Sequence, residues 1–230
     1  MSWVTGNISE LVHLTGQNAY LALIPVLIGL LVSIPLGVVC LRYSWLYAPV
    51  LGLTSVLYAL PALALFVILV DYTGLTNTTV MIPLAVYSLA ILFPSVVDGL
   101  KAVPEPVRQA AVAMGFGTWR RLFSVELPIA TPIIIAGLRV ACVSSISLVS
   151  VGQLIGIGGL GFLLEDGQQR DFDTEIVTGI ILIVVLALVV DLILVLARRL
   201  LTPWQRGRVS DTKLERRTML ADRPNAGVPA

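Results

Sequence analysis

The 230 residues are 57% hydrophobic and only 13% charged, with a mean hydropathy of +0.94. A soluble domain carries roughly 25% charged residues, so this composition excludes a water-soluble globular fold and makes lipid the solvent for much of the chain. A formal net charge of +1 leaves no basic excess for a nucleic-acid partner.

In chain order, the first 19 residues hold Glu10 and His13 but no Lys or Arg. A secretory signal needs a basic start, so residues 1–19 are read as an external N-terminal segment, with His13 at the interface. Five apolar runs follow, at about Tyr20–Leu41, Leu46–Val70, Thr78–Val97, Ile129–Ile155 and Ile176–Ala197. Each suits a span of about 20 residues. Alternating segments of a β-barrel are missing. The expected fold is an all-α membrane protein with about five transmembrane helices over residues 20–204. Pro61, in "YALPALALF", should break the second run into two half-helices. Cys40 and Cys142 lie inside apolar runs without His or Cys at metal spacing, so both read as small packing residues and no metal site is expected. From residue 205 the tail is polar and reads as a disordered cytoplasmic segment.

Charge placement suggests the orientation. Arg42 follows the first run, and Lys101, Arg108, Arg120 and Arg121 separate the third from the fourth. Arg198, Arg199, Arg206, Arg208, Lys213, Arg216, Arg217 and Arg223 follow the fifth. If five helices alternate, these thirteen share one side, and the other side keeps Arg170 alone. Such asymmetry places the N-terminus outside and the C-terminus inside. Tyr43, Trp45, Tyr47 and Trp204 would form an inner aromatic belt.

Gly156-Ile157-Gly158-Gly159-Leu160-Gly161 matches G-x-G-x-x-G. A dinucleotide turn needs a strand before the glycines and a helix after them. Here a spanning helix precedes them, and the expected topology puts them outside. The reading preferred is a bend with close-packed backbones at the outer end of a pore, an outer gate of Gly156, Gly158, Gly159 and Gly161. Ser144, Ser147 and Gln153 give the fourth helix a polar stripe suited to a pore lining or to helix–helix hydrogen bonds. Arg139 and Asp191 are expensive at mid-membrane. At about 1.5 Å per residue, they lie roughly 15 Å and 10 Å above their helices' inner ends. A buried ion pair between them, within or across subunits, is expected to compete with snorkelling of Arg139.

The most informative stretch is "VPEPVRQAAVAMGFGTWRRLFSVELPIATP". Val107, Ala110, Ala111 and Met114 fall at i, i+3, i+4 and i+7, one apolar stripe on a short helix that Gly115 would end. That stripe suits either the protein's own helices or a groove on a partner. Gln109-Ala110-Ala111, three residues, Gly115, nine residues, Val125, one residue, Leu127-Pro128: this spacing resembles the EAA loop of ABC importer permeases (E-A-A-x3-G-x9-I-x-L-P). It departs from that pattern at Gln109 and Val125. The wider stretches "LYALPALALFVIL", "AGLRVACVSSISLVSVGQLIGIGGLG" and "LLEDGQQRDFDTEIVTGIILIV" look like permeases for glycine betaine, choline and carnitine, over about Tyr20–Trp204. The stretch "LFPSVVDGLKAV" is shorter than the family's usual segment.

The resemblance implies a non-catalytic permease subunit in a bacterial plasma membrane. Its loop, residues 98–128, would couple to a separate ABC ATPase that binds ATP and Mg. The chain itself, with no G-x-x-x-x-G-K-[ST], would hold no cofactor. A second permease subunit and an extracytoplasmic solute-binding protein would complete the importer. A methionine or other amino-acid permease, a membrane-embedded oxidoreductase using the glycine motif, and a passive channel are the competing readings.

Overall fold

The computed structural model describes residues 2–203. Trp204 and the tail expected from residue 205 lie outside the described residues. The described chain is helical, without a strand: α1 (Ser2–Gly6), α2 (Ile8–Arg42), α3 (Tyr47–Ala59), α4 (Ala62–Thr73), α5 (Asn77–Lys101), α6 (Glu105–Ala113), α7 (Thr118–Arg121), α8 (Leu127–Val151), α9 (Gly161–Gln169) and α10 (Asp173–Leu201). A π-helical turn, Leu122–Glu126, joins α7 to α8 without a break. Pro128 supplies a physical reason. It has no N–H to offer the carbonyl four residues back, so the ladder shifts there and Leu127 N–H reaches Leu122 O instead.

The first spanning helix, α2, begins at Ile8, twelve residues earlier than Tyr20, the start expected from hydropathy. Its extension buries Leu11, Leu14 and Asn18 at helical spacing. Leu11 and Leu14 pack on Leu160 and Leu163. Tertiary packing thus carries α2 through the segment assigned as an external N-terminus, and His13 is an exposed residue of that helix. At about 1.5 Å per residue, its 35 residues are longer than a bilayer core of about 30 Å.

The second run breaks where Pro61 stands. Leu60 is extended, at ψ 138°, as the residue before a proline prefers. Helices α3 and α4 meet there at 90°. Tyr87 of α5 donates its hydroxyl to the Leu60 carbonyl at 2.7 Å, satisfying an acceptor freed by the break.

Whether α3 and α4 cross together or turn back follows from how α2 packs on α5. Gly29 abuts Ser88, and Gly37 abuts Val96. Both numbers rise together, so α2 and α5 run parallel, and α3 with α4 returns the chain from one end of the bundle to the other. Gly99 lies against Ala130 while Gly137 lies against Ser95, so α8 is antiparallel to α5. Ala141 and Cys142 sit near Val190 and Leu194, and Ile146 and Val149 near Ile183 and Leu186. Helix α10 therefore runs antiparallel to α8. Five crossings result, the bent pair counting as one. Glycines at these contacts let backbones approach closely, which is how helices gain dispersion energy where lipid offers no hydrophobic drive.

Helices α2, α5 and α8 form the centre, and Cys40 and Cys142 are buried in it as free thiols. Helix α10 leaves its most apolar stretch unburied by the rest of the chain, as a lipid-facing helix must. The described residues contain no group of three or more potential metal ligands.

Candidate functional site

Two regions carry the sequence expectations: the loop between α5 and α8 at the basic end, and the glycine turn after α8 at the other end.

At the basic end, Pro104 caps α6 with an extended backbone, and Pro106 occupies its first turn, where a missing N–H costs nothing. The helix ends in a full Schellman motif. Phe116 N–H reaches Ala111 O at 3.0 Å, Gly115 N–H reaches Val112 O at 2.9 Å, and Gly115 holds φ +78°. Ala111 is buried. Val107, Gln109, Ala110, Val112 and Met114 are exposed, Met114 by 68%. Of the expected apolar stripe, only Ala111 packs on the protein's own helices. Gln109 makes one long contact, Nε2 to Glu105 Oε1 at 3.5 Å.

A carboxylate that the sequence reading passed over holds this helix in place. Glu126, in the π turn, accepts from Arg121 Nε at 2.8 Å and lies 3.8 Å from Arg108 Nε. Arg108 also donates through Nη2 to the Leu100 carbonyl at the end of α5, at 2.6 Å. One residue of α6 is thereby tied both to the end of α5 and to the start of α8. Leu127 and Pro128 are half-buried, and Leu127 packs beside Val96, Leu100 and Leu122. An acid at the one variable position before Leu-Pro, five residues after an arginine, was the available signal.

At the other end, Gly156 and Gly159 have φ of +81° and +49°. A Cβ on Gly158 would strike Gln153. One on Gly159 would lie 2.8 Å from the Asn18 backbone nitrogen, and one on Gly161 2.6 Å from the Ser150 carbonyl. Asn18, fully buried, clasps the turn: Leu160 N–H donates to its Oδ1, and its Nδ2 donates to Ile146 O. Helices flank the glycines on both sides, so the strand that a dinucleotide turn requires does not precede them. Beyond the turn, Asp171 sits at φ +51°. Arg170 holds Glu175 and Asp166 at 2.7 Å each. Its guanidinium is pushed above the usual arginine range, first by the hydrogen bond to Glu175.

The three polar candidates on and after α8 are not brought together. Gln153 donates to Glu165 Oε2 at 2.8 Å. Ser147 is exposed and donates back to Val143 O, and Ser144 is half-buried beside Tyr87 and Ser88. Arg139 and Asp191 meet within one chain in a two-pronged contact, Nε to Oδ1 at 2.6 Å and Nη2 to Oδ2 at 2.8 Å. The fork geometry of arginine suits a carboxylate in this way.

These features define a multi-pass helical membrane protein with a helix displayed at one end and a glycine turn packed at the other. Residues 23–207 match the family model described as "Binding-protein-dependent transport system inner membrane component", and the chain belongs to that family. It is 32% identical over 206 residues to the osmoprotectant import permease protein OsmW of Salmonella typhimurium, covering 87% of this chain and 96% of that one. It is 29% identical to the glycine betaine/carnitine/choline transport system permease protein OpuCB of Bacillus subtilis, over 88% of this chain and 94% of the relative. The fold matches a chain of the inward-facing MetNI methionine ABC transporter with a TM-score of 0.73 at 20% identity, covering 85% and 97% of the two chains.

Proposed function

We propose that this chain is the permease subunit of an ATP-driven importer for small quaternary-ammonium osmoprotectants such as glycine betaine, choline or carnitine. The observation that carries the coupling role is helix α6, tied by Arg108 to α5 and α8 yet leaving Val107, Ala110 and Met114 uncovered. An exposed apolar stripe on a short, rigidly held helix is what a groove on a partner recognises, and the partner proposed is a separate ATPase that binds ATP and Mg. The basic end then faces the cytoplasm, in accord with the positive-inside rule. Closure of two ATPases would move α6, and through Arg108 and Glu126 the ends of α5 and α8, as one body. The chain itself performs no covalent step and holds no cofactor.

The pathway is proposed to run between this chain and a second permease subunit. Leu60 and Pro61 are exposed on a single chain. Irregular backbone at membrane depth is tolerated only against protein or beside water, so the break between α3 and α4 faces the partner subunit or the pathway. The turn Gly156–Gly161 is read as the outer gate, where an extracytoplasmic binding protein delivers solute. The solute class comes from the names of the relatives. Methionine is the second reading, supported by the fold match alone.

The deciding experiment is uptake into proteoliposomes by the reconstituted importer with its ATPase and binding protein. ATP-dependent accumulation of glycine betaine, choline or carnitine is expected. Accumulation of methionine in their place would overturn the solute assignment. ATP-independent flux would overturn the importer reading in favour of a channel.

A further inference from the structure

A cavity of about 590 Å³ opens at the basic end between α2 and the α7–π segment, and neither the coupling helix stripe nor the pathway uses it. One wall is apolar: Val38, Val39 and Leu41 from the last turn of a membrane span, with Leu122 and Trp119 opposite. The lining also holds Arg42, Arg108 and Arg121, with Glu126 its one carboxylate. Glu105 lies 3.9 Å from Arg108, so three guanidiniums meet two acids and one positive charge, that of Arg42, is in excess. Glu126 occupies Arg121 through Nε only, which leaves that guanidinium's other nitrogens for a second acceptor. Arg42 has no ionic or hydrogen-bonding partner among the described residues. The Nε of Arg108 is buried without a hydrogen bond in the same group. Beside the cavity, Trp119 and Phe123 stack at 6.4 Å and both are exposed, a pairing suited to the headgroup level of a bilayer.

From this geometry we infer an anionic phospholipid site. The phosphodiester of a lipid such as phosphatidylglycerol accepts from Arg42 and Arg121, and its acyl chains lie along Val38, Val39 and Leu41. Arginine forks match phosphate oxygens, and basic pockets between membrane helices take acidic headgroups. The excess positive charge discriminates against zwitterionic lipid, whose amine would meet the arginines. The continuous apolar wall from a spanning helix favours a lipid over a soluble anion, which has no use for it. Bound there, one headgroup bridges the end of α2 to the segment following the coupling helix, so lipid composition bears on how firmly the loop is held. The inference rests on the proposed function only in assigning the basic end to the cytoplasmic leaflet.

The test is native mass spectrometry of the intact importer extracted from nanodiscs of mixed phosphatidylcholine and phosphatidylglycerol. The wild type is expected to retain phosphatidylglycerol preferentially. Arg42→Gln should reduce that retention by about fivefold, the worth of one basic residue near acidic lipid, and Arg42→Lys should restore most of it. Arg120→Gln should leave it unchanged, because Arg120 stacks on Phe116 and does not line the cavity. Equal retention by wild type and Arg42→Gln at matched folded yield overturns the site. So does competition by inorganic phosphate alone, which marks an adventitious anion site. Loss of the ATPase from Arg42→Gln with lipid retention intact would reassign the cavity to that partner. Failure of osmoprotectant uptake with lipid retention intact would reject the solute assignment and leave the lipid site standing.

Discussion

Glu126 has 11% of its side chain exposed and two arginines around it. A hydrogen bond to a charged group is worth about 1.5–3 kcal/mol, and leaving Arg121 and Arg108 without the acid costs more than the bond itself. Glu126→Gln should therefore lower the thermal stability of the purified importer modestly and uncouple ATP hydrolysis from uptake by about tenfold, ~1.4 kcal/mol. Uptake per ATP equal to wild type would remove Glu126 from the coupling path. The pair Arg139–Asp191 is a different case. Each charge alone costs about 2.5–3.5 kcal/mol at mid-membrane, and the two are joined at 2.6 Å. Arg139→Leu and Asp191→Leu should each cut folded yield severely, and the double variant should be milder than their sum; strict additivity would mean that the contact does not contribute. The two residues could be matched from sequence because helical rise converts residue number into depth. For Glu126, the five-residue spacing from Arg121 was readable, but its approach to Arg108 was not, because α6 lies outside the spans, where helical rise gives no depth and no local pattern encodes the docking angle.

Helix α6 and the glycine turn were both legible as elements, for one reason: each contains a backbone position that only glycine fills without strain, Gly115 after α6 and Gly156 and Gly159 in the turn. Gly115→Leu places a side chain at φ +78°, a conformation costing roughly 1–2 kcal/mol for an L-residue, and Ala111→Asp buries a charge where the only covered face of α6 meets the bundle. Both variants should insert normally yet lose ATP-driven uptake; normal transport by either would sever the helix from coupling. At the opposite end, Gly158→Val with Gly159→Val drives side chains into Gln153 and the Asn18 backbone. Uptake should fall while co-purification of the ATPase is unchanged, and a wild-type uptake rate would dispose of the gate. The start of α2 and the fate of Ser147 and Gln153 were not legible. Residues 8–19 look polar in a hydropathy window, and only contact with Leu160 and Leu163 turns that amphipathic stretch into more of the same helix. A polar side chain on a spanning helix reads alike whether it faces a pore or, like Gln153, a neighbouring carboxylate.

For the whole molecule, the packing of α2 on α5 decides a count that composition leaves between four and five spans. Parallel α2 and α5 require that α3 and α4 together cross, so the start of α2 and the end of α10 lie at opposite ends of the bundle. Which end faces the cytoplasm rests on charge alone: Arg42, Lys101, Arg108, Arg120, Arg121, Arg198 and Arg199 at one end, Arg170 at the other. The arrangement can be tested in intact cells. Cys40 and Cys142 are buried, so replacing both with Ala leaves a background with no thiol among the described residues. Met114→Cys, on the exposed face of α6, should react with a membrane-impermeant maleimide only after the cells are opened. Replacing Gln169, exposed at the end of α9, by Cys should give a site labelled in the intact cell. Labelling of both from one side would mean that α8 does not cross. Trp45→Cys, exposed between α2 and α3, tests the earlier path: it should label from the same side as Met114→Cys, and labelling from the opposite side would return α3 and α4 to a re-entrant loop. Labelling with the sides exchanged would keep the fold, invert it in the membrane, and remove α6 from reach of any cytoplasmic ATPase.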